Sequence, residues 1–497
     1  MDWEDTEAMT TKLQRVALLL VLLATASAAG ASEFSDDLKA RRARAMERLG
    51  PDSLLVLWSA APQRYSLDVD YEYRQDSNLY YLTGLTQEDT ILVLMPGNAA
   101  KREILFVKER NPVREHWTGR VLPNDEVKAR TGIDTVLTIG QFEPFVSAML
   151  ERRTFGPIDD KEAPKFFEAL GAGRGRVQLA LPQGRGLADP LTRPLEFARQ
   201  IRDRFFGFQV VDAAPLFAEL RVVKTPYERK VLIKDLEISS DAQMAGMRAA
   251  HPGAYEYEVK AAIEAVFRAR GSVSWSYPSI VGSGPNATIL HYPEGQRQMK
   301  SGDLLLVDAA ANYEYMSGDI TRTYPVSGTF SPLHKEIYEI VFRAQEDGIA
   351  AARAGESLQE IHARTVLVIK NGLSKLGLIT DTTGDQYKMW YTHGAGHYIG
   401  MDVHDVGDRT RRLVPGMAFT IEPGIYIRQS ALDALPRTPE NEALIAKIQP
   451  AVTKYADIGV RIEDSFLVEE SGLRRLSSPV PRTVEEIEAF MKPRGSK

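Results

Sequence analysis

The chain has 497 residues, 44% hydrophobic and 26% charged, with a formal net charge of -6. That length exceeds one compact core and predicts two domains, while the acidic balance and the lack of a basic stripe or zinc-finger spacing exclude nucleic acid as the main partner. Cysteine is absent, which excludes disulfides, thiolate nucleophiles and Cys-ligated zinc.

In chain order, Lys12 and Arg15 precede an apolar run over 16–24, small residues continue to Ala31, and Ala26-Ser27-Ala28 fits an A-x-A processing site. Residues 1–31 therefore read as a signal peptide. The acidic stretch up to Glu7 suits an n-region poorly, which makes Met9 a candidate start. The apolar run is too short to span a bilayer, so the mature protein should carry no stable membrane span. A periplasmic or secreted protein is expected, and the missing cysteines lean toward bacterial export.

Residues 35–49 predict a helix rich in Arg, Ala and Glu, its arginines on the wet side. Strands are expected at 53–57, 90–95 and 103–107. The segment YEYRQDSNLYYLTG, residues 71–84, combines aromatics with Arg74 and Asp76. It reads first as domain packing and second as part of a substrate cleft. Residues 171–175, GAGRG, read as a flexible connector; they lack the spacing of a dinucleotide fingerprint. Thr225 is a plausible N-cap and Pro226 a first-turn residue, opening a helix that runs through Met247 and Ala250. A second helix follows over 255–270. The domain boundary falls near residue 222, giving an N-terminal domain 36–222, a catalytic domain 223–475 and a C-terminal tail 476–497. Long helices mixed with short strands, without a regular βαβ count, predict an α+β catalytic domain.

Charge placement in that domain is its main chemical signal. Leu304-Leu-Leu-Val307 ends at Asp308, and Asp319 opens another strand-like stretch, with 313–318 as the return between them. Thr420 and Glu422 share one strand face, as do Arg461 and Glu463, while the alternate positions are apolar. Carboxylates that interrupt apolar strands must be neutralised, because an unpaired buried charge is very costly. Capped turns or a salt bridge on an open sheet face would also account for each pair alone. Of eight histidines, His393, His397 and His404 cluster within twelve positions, and His291 follows VGSGPNATIL. His393 and His397 would share a face if helical, although Gly394, Gly396 and Gly400 suit a loop equally. Four carboxylates to one imidazole favour Mn2+ or another hard divalent ion over nitrogen-rich zinc.

Taken together, Ile280-Val-Gly-Ser-Gly284 through His291-Tyr292, Asp308 with Gly318-Asp319-Ile-Thr-Arg322, His393-Gly-x-Gly-His397, Asp402-Val-His404-Asp405, Glu422-Pro-Gly-Ile-Tyr426 and Arg461-Ile-Glu463-Asp464 resemble the creatinase/aminopeptidase metallopeptidases, within them the aminopeptidase P group. The resemblance covers nearly all of the mature chain. It implies a pita-bread catalytic domain preceded by a smaller α/β creatinase-like domain. It also implies two divalent metal ions, with Asp308 on one, Asp319 and Glu463 bridging, and His397 and Glu422 completing the second. The implied reaction removes the first residue from peptides with proline second, by attack of a bridging hydroxide. Glu422 would accept the proton, with Glu463 the alternative, and His404 would stabilise the carbonyl oxygen. His291 and His393 would line the substrate site, and Tyr426 would support the metal shell. Arg461 would neutralise surplus carboxylate charge or meet an anionic substrate group. Serine is usual in the group where this chain has Gly396. Xaa-Pro-containing peptides are the implied partners, and a homo-oligomer the implied assembly. The competing readings are an Xaa-Pro dipeptidase, confined to dipeptides, and a catalytically silent binding module.

Overall fold

The computed structural model describes residues 33–99, 101–155, 163–182, 186 and 188–492; the expected leader lies outside them. The chain divides into two units, the first ending at Leu220 and the second starting at Arg221.

The first unit is built on a six-stranded mixed sheet. Ser53–Trp58 lies between Ile91–Leu94, antiparallel, and Gly175–Leu179, parallel. Glu103–Val107 and Thr135–Thr138 extend one side, and Phe208–Asp212 the other. Ser53–Trp58 and Ile91–Leu94 are buried throughout, as expected of strands covered on both faces. Residues 171–175, the expected flexible connector, link two elements of this unit. They are the tight turn from the helix Pro164–Gly171 into the strand Gly175–Leu179.

The first helix spans residues 33–49, and two of its arginines are not on the wet side. Arg41 and Arg42 are fully buried. Arg41 pairs with Asp37, donates to the Tyr81 carbonyl at 3.2 Å and lies over the Tyr81 ring. Arg42 donates to Glu103 and to the Leu82 carbonyl, both at 2.8 Å. These acceptors offset the desolvation of each guanidinium. They also explain residues 71–84. Asp76 caps the helix Ser77–Thr83 by accepting from Asn78 N and Leu79 N, and the C-cap Gly84 ends it at a φ of 65°. Tyr80 and Tyr81 are buried in packing, whereas Tyr71 is exposed.

The second unit opens with the helix Pro226–Ala249. Its capping box is complete: Glu228 N donates to Thr225 Oγ1 at 3.1 Å and Thr225 N to Glu228 Oε2 at 2.9 Å, which satisfies two otherwise orphaned donors. Glu256–Ala269, Pro332–Ala351, Leu358–Lys375 and Pro439–Tyr455 are the other long helices. They surround short antiparallel sheets. Ile280–Ser283, Leu304–Asp308 and Thr321–Pro325 form one. Ala418–Ile421, Asp464–Glu469 and Gly472–Arg475 form another. Gly424–Tyr426 pairs with Gly459–Arg461. Residues 476–492 are not a loose tail, since Val480, Val484 and Ile487 are buried in the main core of this unit. Among the described residues, no helix is long and apolar enough to cross a membrane.

Candidate metal centre

Strand pairing delivers the acidic residues to one place. Asp308 ends its strand opposite Thr321. The return between the two strands is itself a small hairpin, Ala311–Tyr313 with Met316–Ser317, and it sets Asp319 beside Asp308. Ile421 pairs with Asp464 and Gly424 with Arg461. Glu422 and Glu463 therefore occupy the break between two ladders. His397 comes from a loop, not a helix. That loop lies flat on the strand: Thr420 N donates to the His397 carbonyl at 2.9 Å and His397 N to Thr420 Oγ1 at 3.2 Å. A Cβ on Gly396 would stand 2.0 Å from the Thr420 carbonyl oxygen, so only glycine fits this approach.

All five residues line a cavity of about 440 Å³, together with His291, His393, His404, Arg409 and Arg461. Asp319, His397 and Glu463 offer atoms within 4.8 Å of one another. Glu422 Oε1 is 3.6 Å from His397 Nε2, and Asp319 Oδ2 is 3.4 Å from it. His397 Nδ1 lies 3.0 Å from the Tyr398 carbonyl, which can only accept. Nδ1 therefore carries a proton, and Nε2 is the ring atom turned toward the two carboxylates. That arrangement suits a histidine that ligates a cation through Nε2 while Nδ1–H is held by a carbonyl. Glu463 Oε2 accepts from Thr321 Oγ1 at 2.8 Å, but its buried Oε1 has no hydrogen-bond partner. The donor set, carboxylate oxygens plus one imidazole nitrogen with an orphaned oxygen among them, fits a hard divalent ion.

Tyr277 is a site residue that the sequence did not disclose. Its hydroxyl touches both Asp308 and Asp319. A phenol has one proton to donate, so the second contact needs a proton on a carboxyl or a nearby cation. Tyr277 stands in WSYP, ahead of the strand Ile280–Ser283. An aromatic residue before proline carries no signal that separates it from core packing. Arg409 also went unnoticed; its guanidinium donates to the Gly396 carbonyl.

Crowding governs the proton equilibria. Burial, then the charge of Asp308, pushes Asp319 well above the usual carboxylate range. Burial and then Asp319 do the same to Glu463. Glu422 is pushed up to about 8 by burial, with Glu463 adding to it. Burial lowers His393 to about 3, with Arg461 contributing, and lowers His404 to about 4, with His397 contributing. Both rings are thus neutral at pH 7. His393 Nδ1 donates to the Gly394 carbonyl at 2.8 Å, leaving Nε2 to accept from the Tyr426 hydroxyl at 2.7 Å. Arg461 donates to Tyr426 at 3.0 Å and pairs with Asp308. His404 packs edge-on to His397, ring centroids 4.3 Å apart.

A carboxyl such as Glu422, raised from 4.5 to about 8, contributes stability that is whole below its unfolded pKa and lost as pH climbs through the folded one. Metal-stripped protein should therefore lose melting temperature between pH 5 and pH 8. The increment on adding Mn2+ should grow over the same interval, because metal displaces those protons. Thermal melts with and without metal check this; an increment that shrinks as pH rises would contradict it.

The sequence matches metallopeptidase family M24 over residues 232–470 and the aminopeptidase P N-terminal domain over residues 38–156. It is 32% identical to the Xaa-Pro aminopeptidase of Haemophilus influenzae, over 92% of this chain and 97% of that one.

The chain belongs to metallopeptidase family M24.

It has the two-domain aminopeptidase P fold, an N-terminal domain followed by a pita-bread domain, and is a metal-dependent peptidase. The Xaa-Pro aminopeptidase of Escherichia coli is likewise 32% identical, over 93% of this chain and 98% of that one. Solved structures resemble this one as well. Escherichia coli aminopeptidase P with the inhibitor Pro-Leu gives a TM-score of 0.75 at 32% identity, covering 92% of this chain and 98% of that one. Pseudomonas aeruginosa aminopeptidase PepP gives 0.75 at 34%, with the same coverage.

Proposed function

We propose that this peptidase removes the N-terminal residue from peptides with proline in second position, using two divalent ions, Mn2+ by preference. The observation that carries the reading is the approach of Asp319, His397 and Glu463 to within 4.8 Å of one another, with Glu463 Oε1 buried and unpartnered, in a cavity also lined by Asp308 and Glu422. Asp308 would hold one ion, Asp319 and Glu463 would serve both, and His397 and Glu422 would complete the second. Bound there, divalent cations lower the pKa of water and polarise the scissile carbonyl.

The protein's own groups do the rest. Glu422 accepts the proton of the attacking water and returns it to the proline nitrogen, which cannot leave as an amide anion. Neutral His404 donates an N–H to the carbonyl oxygen as negative charge develops there. Arg461 offsets the charge of Asp308 and, through the Tyr426 hydroxyl, fixes the His393 ring. His291 and His393 contact the peptide from the cavity wall. A proline amide brings no N–H, so its ring enters the site without leaving a donor unsatisfied. The peptide amino terminus meets the acidic cluster.

Products separate this reading from a dipeptidase. Incubated with Mn2+, Co2+ or Zn2+, the enzyme should release the first residue from Xaa-Pro peptides of three or more residues, fastest with Mn2+. Cleavage confined to dipeptides would overturn the aminopeptidase assignment, and binding without turnover would overturn the enzyme. We further propose export to the periplasm or medium and assembly into a homo-oligomer. N-terminal sequencing of the mature protein and sedimentation check these two points.

A further inference from the structure

We propose that Glu256 is a positioning residue for peptide binding, holding the cavity wall that presents His291. The inference rests on the peptidase reading above and concerns a residue outside the metal cluster. Glu256 begins the helix Glu256–Ala269 and is fully buried. Its Oε1 accepts from Ser283 N at 2.7 Å, Ser283 Oγ at 2.7 Å and Asn286 Nδ2 at 3.1 Å. Its Oε2 accepts from the Tyr292 hydroxyl at 3.1 Å and Arg297 N at 3.0 Å. Every one of these donors lies in residues 283–297, the segment that carries Leu290 and His291 into the cavity. Glu256 N closes the arrangement by donating to the Arg297 carbonyl at 3.1 Å. The Arg297 guanidinium donates in turn to Ser283 Oγ at 2.7 Å.

A carboxylate accepts at about four lone-pair sites and donates nothing. The wall is therefore built for an ionised acid. A glutamine would turn an NH2 group toward one of these donors, leaving it buried and unpaired. The segment contributes none of the five candidate metal ligands, so its displacement reaches the substrate and not the metal. Tyr292, next to His291, makes the bond that couples most directly to the ring.

The test is a double-mutant cycle on a metal-loaded enzyme with an Xaa-Pro tripeptide. Glu256→Gln should lower kcat/KM by about 10- to 100-fold, mostly through KM, as expected for a misplaced binding group, with metal content unchanged. In the His291→Ala background the same change should cost less than about threefold, because the group it positions is already gone. Equal losses in both backgrounds, or no loss in either, would overturn the proposal. Should Glu256→Gln fail to fold, Tyr292→Phe removes a single bond and takes its place. A loss of about three- to tenfold seen only in the enzyme that retains His291 supports the proposal, and any other pattern overturns it. A wild-type enzyme inactive on every Xaa-Pro tripeptide would instead remove the functional reading beneath it.

Discussion

Asp319→Ala should lower kcat/KM by at least about 10³-fold and abolish stoichiometric metal binding. Metal-ion catalysis supplies several kcal/mol of transition-state stabilisation, and each ~1.4 kcal/mol is a factor of ten in rate. The backbone should not suffer. Ser465 Oγ donates to the Asp319 carbonyl at 2.7 Å, and Asp319 N donates to Ser465 Oγ at 3.2 Å; neither contact uses the carboxylate. Removing the Asp319 carboxyl also ends the crowding that holds its proton on in the metal-free state, and Tyr277 keeps its contact to Asp308. The variant should therefore melt no lower than metal-stripped wild type while gaining little from added Mn2+. Elemental analysis, peptide turnover and paired melts measure all three. A variant that keeps two equivalents of metal and activity within tenfold of wild type would end the bridging assignment.

Arg322→Met should destabilise the second unit by about 3–5 kcal/mol, the range for breaking a buried ion pair from one side. Arg322 and Asp464 are both fully buried, 2.7 Å apart. The same guanidinium donates to the carbonyls of Glu463 at 2.6 Å, Thr321 at 2.9 Å and Pro481 at 2.9 Å. It thus binds the two ligand-bearing strands to residues 480–481. Denaturant unfolding should show the loss, with weaker metal binding as Glu463 shifts. Arg322→Met with Asp464→Leu should recover part of the stability, since the fully buried pair is removed from both sides while Arg475 and Arg482 lose the Asp464 carboxylate. A single variant within about 1 kcal/mol of wild type would show that Ser477, Gln345 and the flanking Arg475 and Arg482 satisfy Asp464 without Arg322.

Much of the cluster was legible because a strand buried on its apolar face leaves few reasons for an acid to recur at its end. Asp308, Asp319, Glu422 and Glu463 stood out on those grounds, and the structure brings them to one cavity with His397. What escaped notice depends on partners distant in sequence. Tyr277 needs two aspartates more than thirty positions away. Arg41 and Arg42 looked solvated because composition shows a charge but not the carbonyls of Tyr81 and Leu82 that receive it. Residues 476–492 read as a tail because a short helix has little signal until Val484 and Ile487 find a core. The loop at 393–397 could not be separated from a helix by spacing alone; the close pass of Gly396 over Thr420 decides it.

The gap that houses Glu422 and Glu463 works like the jaws of a clamp whose hinge lies elsewhere. Ladder register on either side sets their separation, from Ile421 opposite Asp464 to Tyr426 opposite Gly459. The excursion between the two strands of the second ladder, Gly424–Tyr426 and Gly459–Arg461, reaches its exposed tip around residues 436–440. Homologues can therefore lengthen or trim that tip and leave the jaw spacing untouched, whereas a one-position slip in either ladder would swing an acid out of the cavity.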